Sequence, residues 1–362
     1  MINKILIQGY KSIRNLEIEL SNLNILIGAN GVGKSNFISF FEMLSNIYDK
    51  NLQNYTLEQG GADNLLYFGS KVTNRIYTKI FFENTNCYEL SLNTTNSGTF
   101  YFDYETNGFN TNYDKKEKTP KWKDDTWLRG HSESSLKDKQ TGRYKFINDY
   151  LRGFKVFHFN DTSNTAKVKK SCNINDNSFL RMDASNLSAF LYLLKYKYPK
   201  NFNLIESTIK SVAPYFNEFD LKPLALNPDF IKIEWKETGT DTYFDANNLS
   251  DGSLRFICLA TLLLQPHLPK TIIIDEPELG LHPFAINKLA GLILSASQKT
   301  QVIISTQSVN LIENFEPENI LVVDREEKQS VFKRLSKENL KDWLEDYTIG
   351  ELWEKNVIGG KP

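Results

Sequence analysis

The 362-residue chain is short of the features that mark several large protein classes. Its three cysteines, Cys87, Cys172 and Cys258, are scattered and odd in number. They form neither a metal-binding spacing nor a disulfide framework, which points to a reducing, cytoplasmic setting. Four scattered histidines argue equally against a zinc centre. No apolar run approaches the roughly 18–20 residues that a membrane-crossing helix requires, so no membrane association is expected. The opening "MINKILIQGYKS" has no long apolar core and no small-residue cleavage site, and does not read as a secretion signal. There is no internal repeat, which excludes a solenoid, and no sustained heptad pattern, which excludes a long coiled-coil arm.

The charge is close to balanced, at −1, but unevenly spread. Between Gly108 and Lys170 there are 12 lysines and 3 arginines against 8 acids. A basic segment of this kind either meets phosphate backbones or is a solvated insertion. Around it the chain reads as α/β. "KILIQGY" and "NLEIEL" form a strand pair, and "LNILI" is a third strand. A helix follows from Lys34 to about Asn46, with Phe37, Phe40, Phe41 and Leu44 on one face. Strands are expected at 74–84, 87–93 and 99–105, then a partly ordered insertion over 108–152 that holds Trp122 and Trp127, then a strand at 154–160. Helices follow at 183–198, capped by Asp183 or Ser185, and at 202–216, stopped near Pro214. Strands return at 230–237 and 240–246. The last part alternates a helix from Ser253, a strand "TIIIDE", a helix from His282, a strand "QVIIST" and a strand "NILVVD", the pattern of a parallel sheet covered on both faces.

Two segments carry specific chemistry. "GANGVGKSN" satisfies G-x-x-x-x-G-K-[ST] with Gly28, Gly33, Lys34 and Ser35, between a strand and a helix. Glycines let successive backbone N–H groups turn toward phosphate oxygens, and the helix adds its positive end. Residues Asn30, Gly31, Val32, Gly33, Lys34, Ser35 and Asn36 would therefore hold the phosphates of ATP, with Lys34 bridging the outer two and Ser35 offering its hydroxyl to Mg²⁺. "TIIIDEPELGLHP" ends a buried strand in two acids, where open α/β sheets bind ligands. Asp275 would hold the magnesium and Glu276 would polarise an attacking water; the bland alternative is a capped strand end with solvated acids.

Two further segments complete a resemblance. "LSDGS" is similar to the ABC-type signature Leu-Ser-Gly-Gly-Gln through Leu249, Ser250 and Gly252, and departs from it at Asp251 and Ser253. Plain helix capping by Ser250 or Asp251 is its structural alternative. "ISTQS" places Gln307 where related ATPases usually carry a histidine that meets the γ-phosphate; a glutamine donates a hydrogen bond but carries no proton. With "GYKSIRNLEIEL" at the start and "EPELGLHP", these motifs resemble the ABC-type ATPases of the SMC, RecF, Rad50 and OLD group. The whole chain more closely resembles the short bacterial AAA_21-type ATPases, through "FHFNDTS", "SNLSAFLYLLK" and "LKDWLEDYTIGELWEKNVIGG".

That resemblance implies one α/β ABC-ATPase head over 1–362. An N-terminal lobe spans 1–165, a helical subdomain with connecting strands 166–246, and a C-terminal lobe 247–362. It implies a head-to-tail homodimer that binds ATP and Mg²⁺. One head supplies Lys34, Ser35, Asp275, Glu276 and Gln307; its twin supplies Ser250 and Gly252, with 278–281 lining the interface. The glutamine that closes on magnesium in such proteins has no clear match, and Asn160 or Asp161 is nearest by position. Roughly 40 residues follow "NILVVD", too few for the nuclease domain of the OLD type. The sequence "NKLA" (287–290) lacks the final acid of a GTPase motif. The expected function is a slow ATPase switch that controls a separately encoded effector, such as a nuclease, in antiphage defence. The alternatives are a RecF-like ATPase that binds nucleic acid through Trp122, Trp127, Lys167, Lys169 and Lys170, and an ATP-held clamp with little turnover.

Overall fold

The computed structural model describes residues 1–112 and 121–360, with backbone only at 125–128. Strands β1 (Ile2–Tyr10) and β2 (Ile13–Glu19) form a hairpin; β3 (Leu23–Ile27) leads into α1 (Lys34–Tyr48). Short helices α2 (Leu52–Glu58) and α3 (Ala62–Leu65) precede β4 (Arg75–Phe82), β5 (Asn86–Thr94), β6 (Phe100–Asn110) and β7 (Trp122–Leu128). Helix α4 (Arg143–Arg152), β8 (Phe154–Phe157) and β9 (Cys172–Asn173) follow, then α5 (Leu187–Lys197) and α6 (Pro199–Val212). Five short strands come next: β10 (Phe216–Phe219), β11 (Pro223–Leu224), β12 (Asn227–Ile231), β13 (Glu234–Glu237) and β14 (Tyr243–Asp245). The chain continues with α7 (Asp251–Leu264), β15 (Thr271–Asp275), α8 (Pro283–Ser297), β16 (Gln301–Ser305) and α9 (Val309–Ile312). It ends with β17 (Ile320–Glu326), β18 (Gln329–Arg334), α10 (Lys337–Leu340) and α11 (Ile349–Glu354).

Two six-stranded sheets organise the molecule. One is antiparallel, in the order β2-β1-β4-β5-β6-β7; the other runs β18-β17-β3-β16-β15-β8 and is parallel except at the β17/β18 pair. Helix α1 lies between them. The unbroken apolar strands of the parallel sheet follow from this, because alternate side chains reach two different cores. Ile272, Ile274, Val302 and Ile304 join the core beneath α7 and α8, while Ile273 and Ile303 join the α1 core. Gln301 ties the two sheets together. Its side chain accepts from Ile2 N at 3.0 Å and donates to Ile2 O and Ser21 O at 2.8 and 2.9 Å. Among the described residues no helix is long and apolar enough to cross a membrane.

Four sequence expectations change. The described part of 108–152 is built into the fold: β6 runs on to Asn110, β7 adds to the sheet edge, and α4 buries Ile147, Asn148, Tyr150 and Leu151. The outward charges of α4 concealed its inward face. Residues 113–120 and the side chain of Trp127 lie outside the described residues. The strand expected at 154–160 ends at Phe157, where His158 N turns to bond Met182 O at 2.9 Å. The helix expected from Asp183 begins at Leu187, because Asn186 spends its side chain on Arg181 N, Asp176 O and Phe179 O. The strand expected at 230–237 is two strands in different small sheets. Alternation is the same in both halves, so the change of sheet at Lys232–Ile233 leaves no trace in the pattern.

Candidate nucleotide-binding site

Strands β3, β15 and β16 lie side by side and end together, and their loops converge on one cavity of about 120 Å³. It is lined by Asn30, Gly31, Gly33, Lys34, Ser35, Asn36, Glu276 and Gln307. The glycines at 28 and 33 are steric requirements. Gly33 has φ 116°, and a Cβ there would strike Ser330 Oγ; Gly28 has φ 153°, and a Cβ would strike Val323 O. Ser330 Oγ also donates to Val32 O at 2.5 Å and lies 2.7 Å from Ser12 Oγ, so the β17/β18 hairpin braces the loop from behind. Asn36 lines the cavity, but its amide is bonded to Ser12 Oγ at 2.7 Å. Val32 is buried behind the loop.

The chemistry of this loop fits a triphosphate with its metal. Among the described residues, no acceptor bonds the backbone N–H groups of 31–36, so a fan of donors opens at the start of α1. The Ser35 hydroxyl makes no hydrogen bond there either, and Ser35 is exposed. Lys34 Nζ is folded back onto the loop carbonyls, donating to Gly28 O at 2.6 Å and Ala29 O at 2.9 Å. Burial lowers its pKa, against the opposing pull of Glu276, Asp275 and Glu278.

The acids at the end of β15 are held in different ways. Asp275 faces Ser305 in the β15/β16 register, and the Ser305 hydroxyl donates to it. Glu276 has φ 47°, a left-handed conformation uncommon for a residue with a Cβ, and its N–H bonds Ser305 O at 2.9 Å. This sharp turn brings Glu276 to the cavity wall, where the Gln307 amide donates to its carboxylate. Glu278 is a residue whose separate role the sequence did not disclose. One carboxylate oxygen accepts from Thr306 Oγ1 at 2.6 Å and Gln307 N at 3.1 Å; the other is buried without a partner among the described residues. Burial raises its pKa. Only the crowding of three acids within "DEPE" hints at it.

The signature-like segment lies elsewhere on the same chain, and Ser250 and Gly252 do not line the cavity. Ser250 caps α7 by accepting from Ser253 N at 3.1 Å. Gly252 packs so closely on the Gly280 carbonyl that a Cβ would not fit. Arg255, nearly buried, donates to Phe159 O at 3.1 Å, Asn160 O at 3.2 Å and Leu279 O. Asp251 stands 3.8 Å from Lys169 Nζ, whose side chain is 4% exposed. Tyr215, whose hydroxyl lies 2.7 Å from Ser253 Oγ, and Leu279, whose carbonyl Arg255 holds, are exposed, as is Phe284 at the start of α8.

Other expected residues are placed differently. Asn160 and Asp161 do not line the cavity; Asn160 O is bonded to Arg255, and Asp161 accepts from Ser163 N and Oγ at 3.1 and 2.7 Å. The side chain at the end of β8 is His158, whose Nε2 lies 2.6 Å from Glu42 Oε1 on α1. That hydrogen bond raises the His158 pKa against desolvation, with the charges of Glu42 and Asp275 adding to it. Of the residues offered for nucleic acid, Lys169 is turned inward to Asp251 and Lys167 lies 3.7 Å from Asp183. Trp122 packs edge-on against Phe81 at 5.0 Å.

Residues 23–313 match the AAA_21 family, described as "AAA domain, putative AbiEii toxin, Type IV TA system". Among solved structures the chain is similar to an SmcHead bound to the C-winged helix domain of ScpA, at 18% identity and a TM-score of 0.63, over 94% of this chain and 99% of that one. It is also similar to the Smc head domain with an extended coiled coil bound to the C-terminal domain of ScpA, derived from Pyrococcus furiosus. There the identity is 16% and the TM-score 0.58, over 95% of this chain and 98% of that one. Likeness at these identities establishes the fold, which is the α/β head expected from the sequence. No curated protein matches the chain.

Proposed function

Because the chain belongs to the AAA_21 family and has the fold of an Smc head, we propose that it is an ATP-hydrolysing dimeric switch that governs a separately encoded effector. The observation that carries this reading is the single cavity where the free N–H groups of 31–36, Lys34, Ser35, Glu276 and Gln307 meet. The N–H groups cradle the phosphates, and Lys34 exchanges the carbonyls of Gly28 and Ala29 for phosphate oxygens. Ser35 and Asp275 would hold magnesium, which supplies charge neutralisation at the phosphates. Glu276 takes the proton of the attacking water. Gln307 fixes the Glu276 carboxylate by its amide but cannot relay a proton, so turnover is slow.

Ser250 and Gly252 act on the nucleotide of a second copy. Their absence from the lining of their own cavity, and the exposed Tyr215 and Leu279 bonded to Ser253 and Arg255 just after them, support a head-to-tail pair. The reading divides the head into the lobes 1–165, 166–246 and 247–362. Delegation to a partner is supported by the toxin–antitoxin description of the family and by the Smc heads, which are bound to domains of ScpA. A cytoplasmic antiphage role with a nuclease as effector is the form of it that we propose.

Complementation tests the pairing. Lys34→Ala and Ser250→Arg chains are each expected to be inactive alone. Mixed in equal amounts, half the dimers are hybrid and each carries one intact site, so about a quarter of the unmodified rate returns. A mixture that forms hybrids and stays silent rules the shared site out. The inward Lys169 gives a second test. Asp251 replaces a signature glycine, and Lys169 offsets its charge before it meets the twin's phosphates. Lys169→Met should weaken ATP-driven self-association several-fold, and adding Asp251→Asn should restore it; light scattering with and without ATP reads both.

A further inference from the structure

At the opposite end of the parallel sheet, where β8 and β15 begin, two hollows of about 380 and 340 Å³ lie side by side. They share Phe179, Gln265 and His267. Phe179, on the stretch before α5, stands between them with 59% of its surface exposed. The first hollow is mostly apolar, floored by Phe157, Leu180 and Leu268; the second is mixed, with Phe190, Leu193 and Leu194 beside Asn177 and Ser178. The rim holds Arg152, Lys155, Lys197 and Lys270 against Asp149 as the only lining acid among the described residues. Three of these cations stand over aromatic rings: Lys155 over Phe179 at 5.9 Å, Lys197 over Tyr198 at 5.7 Å and Lys270 over Tyr150 at 5.3 Å. A ring face holds a cation without neutralising it. The surface therefore offers one mostly apolar and one mixed hollow under a rim with more positive than negative side chains.

We infer that this double hollow is the docking site for an acidic segment of a partner protein, one that seats an aromatic or aliphatic side chain on each side of Phe179. The inference rests on the proposal that the head delegates its output to a partner, and it names the surface and the chemistry. A protein segment fits better than nucleic acid. A phosphate backbone needs a continuous track of cations, whereas here the cations ring two separate hollows, the first mostly apolar and the second with apolar side chains on part of its wall. Opposite charge steers the encounter, and the buried rings at the centre hold it.

The probe is a labelled synthetic peptide in which glutamates flank one phenylalanine and one leucine, titrated by anisotropy into the full chain at low and moderate salt. Binding is expected, weakening as salt rises. Phe179→Ala should weaken it about tenfold at either salt. The pair Lys155→Glu and Lys270→Glu should abolish it and with it the salt dependence. Phe179 and Lys270 are exposed and Lys155 is half-buried on β8, so melting curves are used to check that the variants fold. The proposal is overturned if the peptide does not bind at low salt, if the variants bind it equally, or if oligothymidylate of equal charge displaces it as well as unlabelled peptide does. ATP binding measured on the same samples separates the two readings. Lost peptide binding beside intact ATP binding sinks the docking site alone; peptide binding without ATP binding sinks the switch alone.

Discussion

Glu276→Gln is expected to slow ATP turnover by about 10²–10⁴-fold while nucleotide affinity stays near that of the unmodified chain. The amide matches the carboxylate in shape, keeps the left-handed turn at 276 and can still accept from Gln307. What it loses is the capacity to take a proton. ATP should then persist in the cavity, and a species of twice the mass should accumulate in light scattering when ATP is present. Phosphate release measured beside it separates three outcomes. A collapsed rate with accumulated dimer fits a general base at 276. An unchanged rate removes Glu276 from that role. A rate already negligible before substitution favours the clamp, in which the Gln307 bond holds the carboxylate out of reaction.

Lys34→Ala should weaken ATP binding by on the order of 100-fold, from the loss of charge-assisted hydrogen bonds worth about 3 kcal/mol. This lysine has a second role before nucleotide arrives, since its ammonium bonds the carbonyls of Gly28 and Ala29. The variant should therefore melt earlier even without ATP, and added ATP should no longer raise its melting temperature. Lys34→Met keeps the apolar stem and should recover part of the ligand-free stability but none of the affinity. Calorimetric titration showing ATP uptake equal to that of the unmodified chain would place the phosphates elsewhere.

The loop at 28–36 was legible from sequence because the chemistry leaves few substitutes for its residues. Gly33 has no room for a Cβ, and a lysine followed by a hydroxyl at a helix start has few other uses. The strands "TIIID" and "QVIIS" were legible because burial on both faces demands unbroken apolar runs. What stayed hidden depends on partners distant in the chain. Lys169 looks like one of several exposed lysines until Asp251 stands before it. Glu278 looks solvated until Thr306 and Gln307 close over it. Helix α4 was masked by charges that all point outward, and the short strands β11, β12 and β13 by a pattern that cannot record a change of sheet.

Arg255 gathers the carbonyls of Phe159, Asn160 and Leu279 under one guanidinium. The start of α7, the exit of β8 and the turn after Glu276 are therefore tied to one another through a single side chain. In a paired arrangement these tied segments would touch two nucleotides at once: their own, through Glu276, and their neighbour's, through Ser250. Loss of a phosphate from one pocket would then be felt as strain in the other, so that each pocket, though able to turn over alone, would sense the state of its neighbour without any long helical arm among the described residues to connect them.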